Sequence, residues 1–167
     1  MKQNLLMVLN QLTYVFQTPF NRLLILTVGS QVFSMFTKVI ITFVRTKSFS
    51  LKNMTKYGGM PSSHTAFITA LLFGVALDPA FGWKHPFFTF ALVLSCIVLI
   101  DAISLRGNID RLNDVVKELL EKDKDLKNKI ILPKKIAHTV PEVIGGIIFA
   151  LIYTILFYTF FFNIFPT

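Results

Sequence analysis

The chain holds a single cysteine, Cys96, among its 167 residues. One thiol excludes an internal disulfide and any multi-cysteine metal site, and its place inside an apolar run reads as a helix-packing residue. Charge is also scarce, at 16% of the chain against 53% hydrophobic residues and 18 Phe. A water-soluble domain of this length could not hide that much apolar surface in one core, so a lipid solvent is implied. Acidic residues are the scarcest charged class, 9 against 17 basic, for a formal net charge of +8. The basic residues fall between apolar runs and do not form one solvated face. The excess therefore points to anionic lipid head groups and phosphorylated substrates and away from nucleic acid. Internal repeats are absent, and the only biased segment is the Phe-rich tail 157–165, which has the composition of a membrane span. The length suits one domain, residues 1–167.

What the sequence does contain is long apolar runs. Four of them, at 22–45, 64–80, 87–105 and 140–165, approach the roughly 20 helical residues needed to cross a hydrocarbon core of about 30 Å. The second is short, ending at Asp78 and Pro79. The expected fold is all-α, a multi-pass integral membrane bundle of about four spanning helices. Two accessory helices are expected beside it. In Met1 to Phe20, Leu5, Val8, Leu9, Leu12 and Phe16 recur at helical spacing, the pattern of a helix lying in the membrane interface. Asn10 and Gln11 break its apolar stretch and no small-residue cleavage site follows, so it is expected to be retained as an anchor. Between the third and fourth runs, residues 107–128 are charged but carry Ile109, Leu112, Val116, Leu119 and Leu120, which predicts an amphipathic helix outside the membrane.

The basic residues also predict orientation. Arg45, Lys47, Lys52 and Lys56 lie in the first long loop, and nine more lie between Arg106 and Lys135; the other side has only Lys2, Arg22 and Lys84. The positive-inside tendency then places both long segments in the cytoplasm and both termini outside.

Polar residues that are hard to explain as scaffold gather at the cytoplasmic ends of these runs. Lys38 sits within an apolar helix, where a charge costs at least a few kcal/mol unless it is paired or faces a polar cavity; its other reading is a side chain snorkelling to the surface. Arg45, two helical turns on, lies on a similar face. Gly58-Gly59-Met60-Pro61-Ser62-Ser63-His64-Thr65 precedes the second run. Glycines let a backbone approach a ligand, Pro61 suits a helix start, and free amides with Ser62 and Ser63 make an anion site, or simply a helix cap. Asp101 lies deep at the end of the third run, with Arg106 either a phosphate clamp or a surface anchor. His138 and Glu142 are four residues apart and meet across one helical turn. A carboxylate on one ring nitrogen fixes the tautomer and leaves the other nitrogen to attack, although the pair could equally be structural. Together these residues are an inventory for displacement at phosphorus: a nucleophile, an acid for the leaving oxygen, and cations for the equatorial oxygens.

These segments resemble the divergent type 2 phosphatidic acid phosphatases, relatives of acid phosphatases and vanadium-dependent haloperoxidases. The resemblance covers roughly residues 30–146. It rests on GGMPSSHTA at 58–66, on DAISLR at 101–106 followed by Leu112 and Asn113, and on AHTVPEVIGG at 137–146. Lys38 and Arg45 have the superfamily's Lys, six residues, Arg spacing. Pro61 to His64 match its Pro-Ser-Gly-His with Ser63 in place of Gly, and His138 with Glu142 match its His, three residues, Asp with Glu in place of Asp. The resemblance implies that His138 attacks phosphorus to form a phosphohistidine, that His64 protonates the leaving alcohol, and that Glu142 orients His138. Lys38, Arg45, Ser62, Ser63, Gly59 and Arg106 would surround the phosphate, with Asp101 in support. No metal or cofactor is implied. The expected activity is hydrolysis of a lipid phosphomonoester, phosphatidylglycerophosphate-like or phosphatidate-like, presented among membrane lipids at the cytoplasmic leaflet. The alternatives are a phosphotransferase or pyrophosphatase with the same site, or a non-catalytic membrane protein that binds an anion or lipid. A homo-oligomer would bury the lipid-facing grooves of so small a bundle.

Overall fold

The computed structural model describes residues 18–47, 59–122, 130–133 and 135–164, the last span without the side chains of Phe162 and Ile164. The expected N-terminal interfacial helix, Gly58, Lys52, Lys56 and the end of the expected amphipathic helix fall outside the described residues. Five α-helices follow in chain order: α1 Pro19–Thr46, α2 Ser63–Leu77, α3 Pro86–Ile100, α4 Arg106–Glu121 and α5 Val140–Ile164. No strand occurs among the described residues. A π-helical turn, Asp101–Leu105, joins α3 to α4 without a break.

Each helix starts where its sequence allows. Pro19 opens α1 and Pro86 opens α3, positions where a missing N–H costs nothing. The side chain of Ser62 caps α2, accepting from the Thr65 amide at 3.4 Å, and the ring of His85 caps α3, accepting from the Phe87 amide at 3.2 Å. Among the described residues, three helical stretches are long and apolar enough to cross a membrane: Pro19–Thr46, the continuous Pro86–Glu121, and Val140–Phe161. α2 is the shorter apolar helix, 15 residues or about 22 Å, just as its early end at Asp78 foretells. The chain is an integral membrane helical bundle.

The short helix is the central one, packed on α1, α3 and α5. Its contacts are made by small side chains, as suits helices that must approach closely without a hydrophobic drive between them. Ala66 and Ala70 bury against Ala150 of α5, and Val75 packs with Leu23 and Ala91 of α1 and α3. Ser30 donates to the Ala66 carbonyl at 3.2 Å and Ser95 to that of Ile68 at 3.3 Å, so hydroxyls on α1 and α3 both reach α2. The large apolar residues of α1, such as Leu24, Phe33, Phe36 and Ile40, face outward, the pattern of a lipid-facing surface. Cys96 is a correction to the expected helix-packing role. It is exposed on α3, because the packed stripe of that helix runs through Ala91 and Ser95.

At the end where α1 begins and α2 stops, a buried polar cluster ties three helices together. The Arg22 guanidinium donates to both Asp78 carboxylate oxygens, at 3.0 and 2.9 Å. The Tyr158 hydroxyl lies 3.0 Å from Asp78 and 3.1 Å from the Gly74 carbonyl, and the Ala80 amide donates to Asp78 at 2.9 Å. Asp78 is only 1% exposed, so this carboxylate survives burial by being fully hydrogen-bonded. Exposed Trp83 and the edge-to-face rings of Phe20, Phe81 and Phe87 surround that end, as aromatic belts do at a membrane interface.

Candidate active site

The opposite end of the bundle gathers the other polar groups. His138 lies in the extended stretch before α5, and its backbone amide donates to the Ala102 carbonyl in the π turn at 3.1 Å. Just before it, the Ile136 and Ala137 amides donate to the two oxygens of Asp110, each at 3.0 Å. The stretch carrying His138 therefore hangs from the π turn and α4 at three points. Asp110 was missed by sequence reasoning, since its partners lie 26 and 27 residues away and leave no local pattern.

Glu142 accepts three hydrogen bonds. Its Oε2 takes the Thr139 amide at 2.9 Å and lies 3.2 Å from His138 Nδ1, and its Oε1 takes the Gly59 amide at 2.6 Å. Thr139-Val140-Pro141-Glu142 has the spacing of a capping box, in which a glutamate one turn into a helix reaches back to the first free amide. That local signal fixes the carboxylate, which in turn fixes the ring. With an acceptor on Nδ1, the proton sits there and the opposite nitrogen, Nε2, is left with a lone pair. The imidazole is 5% exposed, and burial pushes its pKa down from the usual range while the Glu142 hydrogen bond and charge oppose that shift.

Gly59 has φ of +89°, in the left-handed region that favours glycine, and its open side rests on the Lys38 stem, 3.4 Å from where a Cβ would stand. Its amide points to Glu142, so in this structure it helps to place the His138–Glu142 pair. Lys38 is buried at 4% exposed, turned inward and not toward the surface, and it interacts electrostatically with Glu142 and both histidines. Gly146 allows α5 to close on the start of α2: a Cβ there would stand 2.7 Å from the Ser62 carbonyl oxygen.

His64, in the first turn of α2, is exposed, and its ring centroid is 6.3 Å from that of His138. Two imidazoles from different elements, 74 residues apart in the chain, are thus near neighbours at one end of the bundle. Ser62 and Ser63 are buried at the same helix start, with the Ser62 oxygen accepting from Thr65 as a cap. Asp101 and Arg106 bracket the π turn, and Arg106 Nε donates to Asp101 Oδ2 at 2.9 Å. In a regular α-helix, residues five apart diverge by about 140° around the axis; one extra residue in the turn brings them back to one face. Both line a cavity of about 470 Å³ with His64. Arg45 is not among these groups; it is exposed in the last turn of α1. No group of three or more metal-ligating side chains occurs among the described residues.

Comparison with known proteins agrees with this arrangement at the level of family. The model of the divergent PAP2 family matches residues 20–153, most of the chain. A membrane protein of Bacillus subtilis (strain 168), YuiD, is 31% identical over 97 residues, which is 58% of this chain and 60% of that protein. No solved structure matches. With its helical membrane bundle and its polar residues gathered at one end, this chain belongs to the divergent PAP2 family.

Proposed function

We propose that the protein is a membrane phosphatase that hydrolyses a phosphomonoester carried on a lipid, by way of a phosphohistidine on His138. The observation that carries this reading is the pair of imidazoles 6.3 Å apart, one of them with Glu142 on Nδ1. His138 Nε2 attacks phosphorus, the bond from phosphorus to the alkoxy oxygen breaks, and the leaving oxygen takes a proton from His64. Water then attacks the phosphohistidine while His64 takes a proton from it, and inorganic phosphate leaves. Lys38 and Arg106 supply positive charge for the phosphoryl oxygens, and Glu142 offsets the positive charge that develops on the His138 ring. Asp101 holds Arg106 in place when no anion is bound. The positive-inside tendency supports a cytoplasmic site, since the basic residues concentrate in the segments at this end of the bundle.

Removing each histidine in turn tests the assignment. His138→Ala should lose at least about a thousandfold in turnover on any substrate, because no covalent intermediate forms. His64→Ala should lose roughly a hundredfold to ten-thousandfold on an alkyl phosphate. On an aryl phosphate, whose leaving group needs no proton, it should lose far less, and acid quench should trap phosphate on His138. A His138→Ala protein with wild-type turnover would remove the nucleophile assignment. Transfer of phosphate to an added alcohol, in place of release to water, would favour a phosphotransferase with the same site.

A further inference from the structure

Two open-sided cavities lie along the seam between α2 and α3, and they share Leu94. The larger, about 470 Å³, is closed at the site end by His64, Asp101 and Arg106. The second, about 210 Å³, carries on toward the other end of the bundle and has only apolar side chains in its wall. On α2 the walls are formed by His64, Ile68, Leu71 and Val75, and on α3 and the first residue of the π turn by Phe87, Phe90, Leu94, Ile97 and Asp101, with Phe20 and Leu23 of α1 bordering the smaller cavity. Steps of three and four residues keep each set on one face of its helix, so two facing stripes line the seam past both cavities. From Phe87 to Asp101 the α3 stripe is about 21 Å long at 1.5 Å per residue, somewhat more than one leaflet of a hydrocarbon core about 30 Å thick.

A groove that is charged at one end and hydrocarbon along the rest has the pattern of a single amphiphile. Cavities of about 210 and 470 Å³ strung along one seam suit a thin extended chain. The head of that amphiphile must suit Arg106 and the His64 imidazole in the cavity wall, with the His138 ring 6.3 Å from that of His64, which calls for a compact anion. We propose that the α2–α3 groove holds the hydrocarbon chain of a phosphomonoester amphiphile, its phosphate at the His64 end, and that Leu94, where the two cavities meet, sets the chain length accepted. This rests on the phosphatase reading for the nature of the head group, and its own content is the path of the chain.

Two experiments on the full-length protein in mixed detergent micelles test it. In the first, turnover of hexadecyl phosphate is divided by turnover of hexyl phosphate. Leu94→Trp, which blocks the junction, should lower that ratio about tenfold, within the range that pocket contacts give. Leu94→Ala, which widens it, should leave the ratio unchanged or raise it. A ratio unmoved by Leu94→Trp in an active protein overturns the groove and leaves the phosphatase standing. The second needs no turnover: hexadecyl phosphate with a diazirine at the chain end should label Phe87 and Phe90, and unlabelled hexadecyl phosphate should compete. A phosphodiester of the same chain length should compete at least about tenfold less well, the same scale of discrimination. Equal competition by the diester would mean ordinary membrane lipid at a greasy surface, and labelling away from α3 would mean another path; either result overturns the proposal.

Discussion

Glu142 holds three donors at once, and that makes it the residue on which the site geometry depends most. Its carboxylate ties Thr139 of its own helix, Gly59 of the preceding loop and the His138 ring into one unit. Replacement by glutamine keeps an acceptor but removes the charge. The His138 pKa already lies below the usual imidazole value of about 6.5 because burial outweighs Glu142. Removing a contribution that raises it must lower it further. In an NMR titration the His138 midpoint should therefore lie below 6.5 in the wild type and move to still lower pH in Glu142→Gln. In the proposed mechanism neutral imidazole attacks, so the acid loss of that form would begin at lower pH in the variant, while its plateau turnover should fall on the order of a hundredfold from lost electrostatic support. An upward move of the midpoint would show that the carboxylate does not act on this ring. Most of these residues were legible in the sequence because a charged or imidazole side chain beside an apolar run has few innocent explanations. Asp110 was not, because acidic residues in a charged amphipathic helix look alike until the chain folds back on one of them.

Among the elements, the π turn carries the most. One extra residue between α3 and α4 leaves no mark in composition, so the sequence reading placed the apolar run and the amphipathic helix correctly but could not see how they are joined. The junction sets the rotation of α4 about its axis, and hence where Asp110 points. Deleting exposed Asn108, which lies beyond the turn, would keep the Asp101–Arg106 pair but shift the register of α4 by one residue, turning Asp110 by about 100° away from the Ile136 and Ala137 amides. Helicity by circular dichroism should be nearly unchanged, while turnover should drop about a hundredfold or more, as a misplacement of about 1 Å can cause. Equal activity in the deletion variant would show that the rotation of α4 is immaterial. The apolar helices themselves were readable to within a few residues, since lipid demands an unbroken run of greasy side chains and proline marks the starts of α1 and α3.

At the scale of the whole molecule, the two ends of the bundle do different work. The Arg22–Asp78–Tyr158 cluster links residues 56 and 80 positions apart, which is why no local pattern announced it. Arg22→Met would leave Asp78 buried without its cation and should cost about 3–5 kcal/mol of stability; Tyr158→Phe, which removes one hydroxyl, should cost about 1–2. Thermal unfolding in detergent measures both, and an Arg22→Met protein as stable as wild type would show the cluster to be ornamental. Sidedness is tested by a membrane-impermeant amine reagent on intact cells, which should modify Lys84 and spare Lys117; the reverse would move the site to the outer leaflet. The cluster has a mechanical consequence too. Tongs riveted at one end part only at the other, and here the rivet is a doubly bonded guanidinium buried between helices, while the links across the far end run through backbone amides. Whatever spreading of the helices admits a bulky guest should therefore swing about Asp78, with the jaws at His64 and His138.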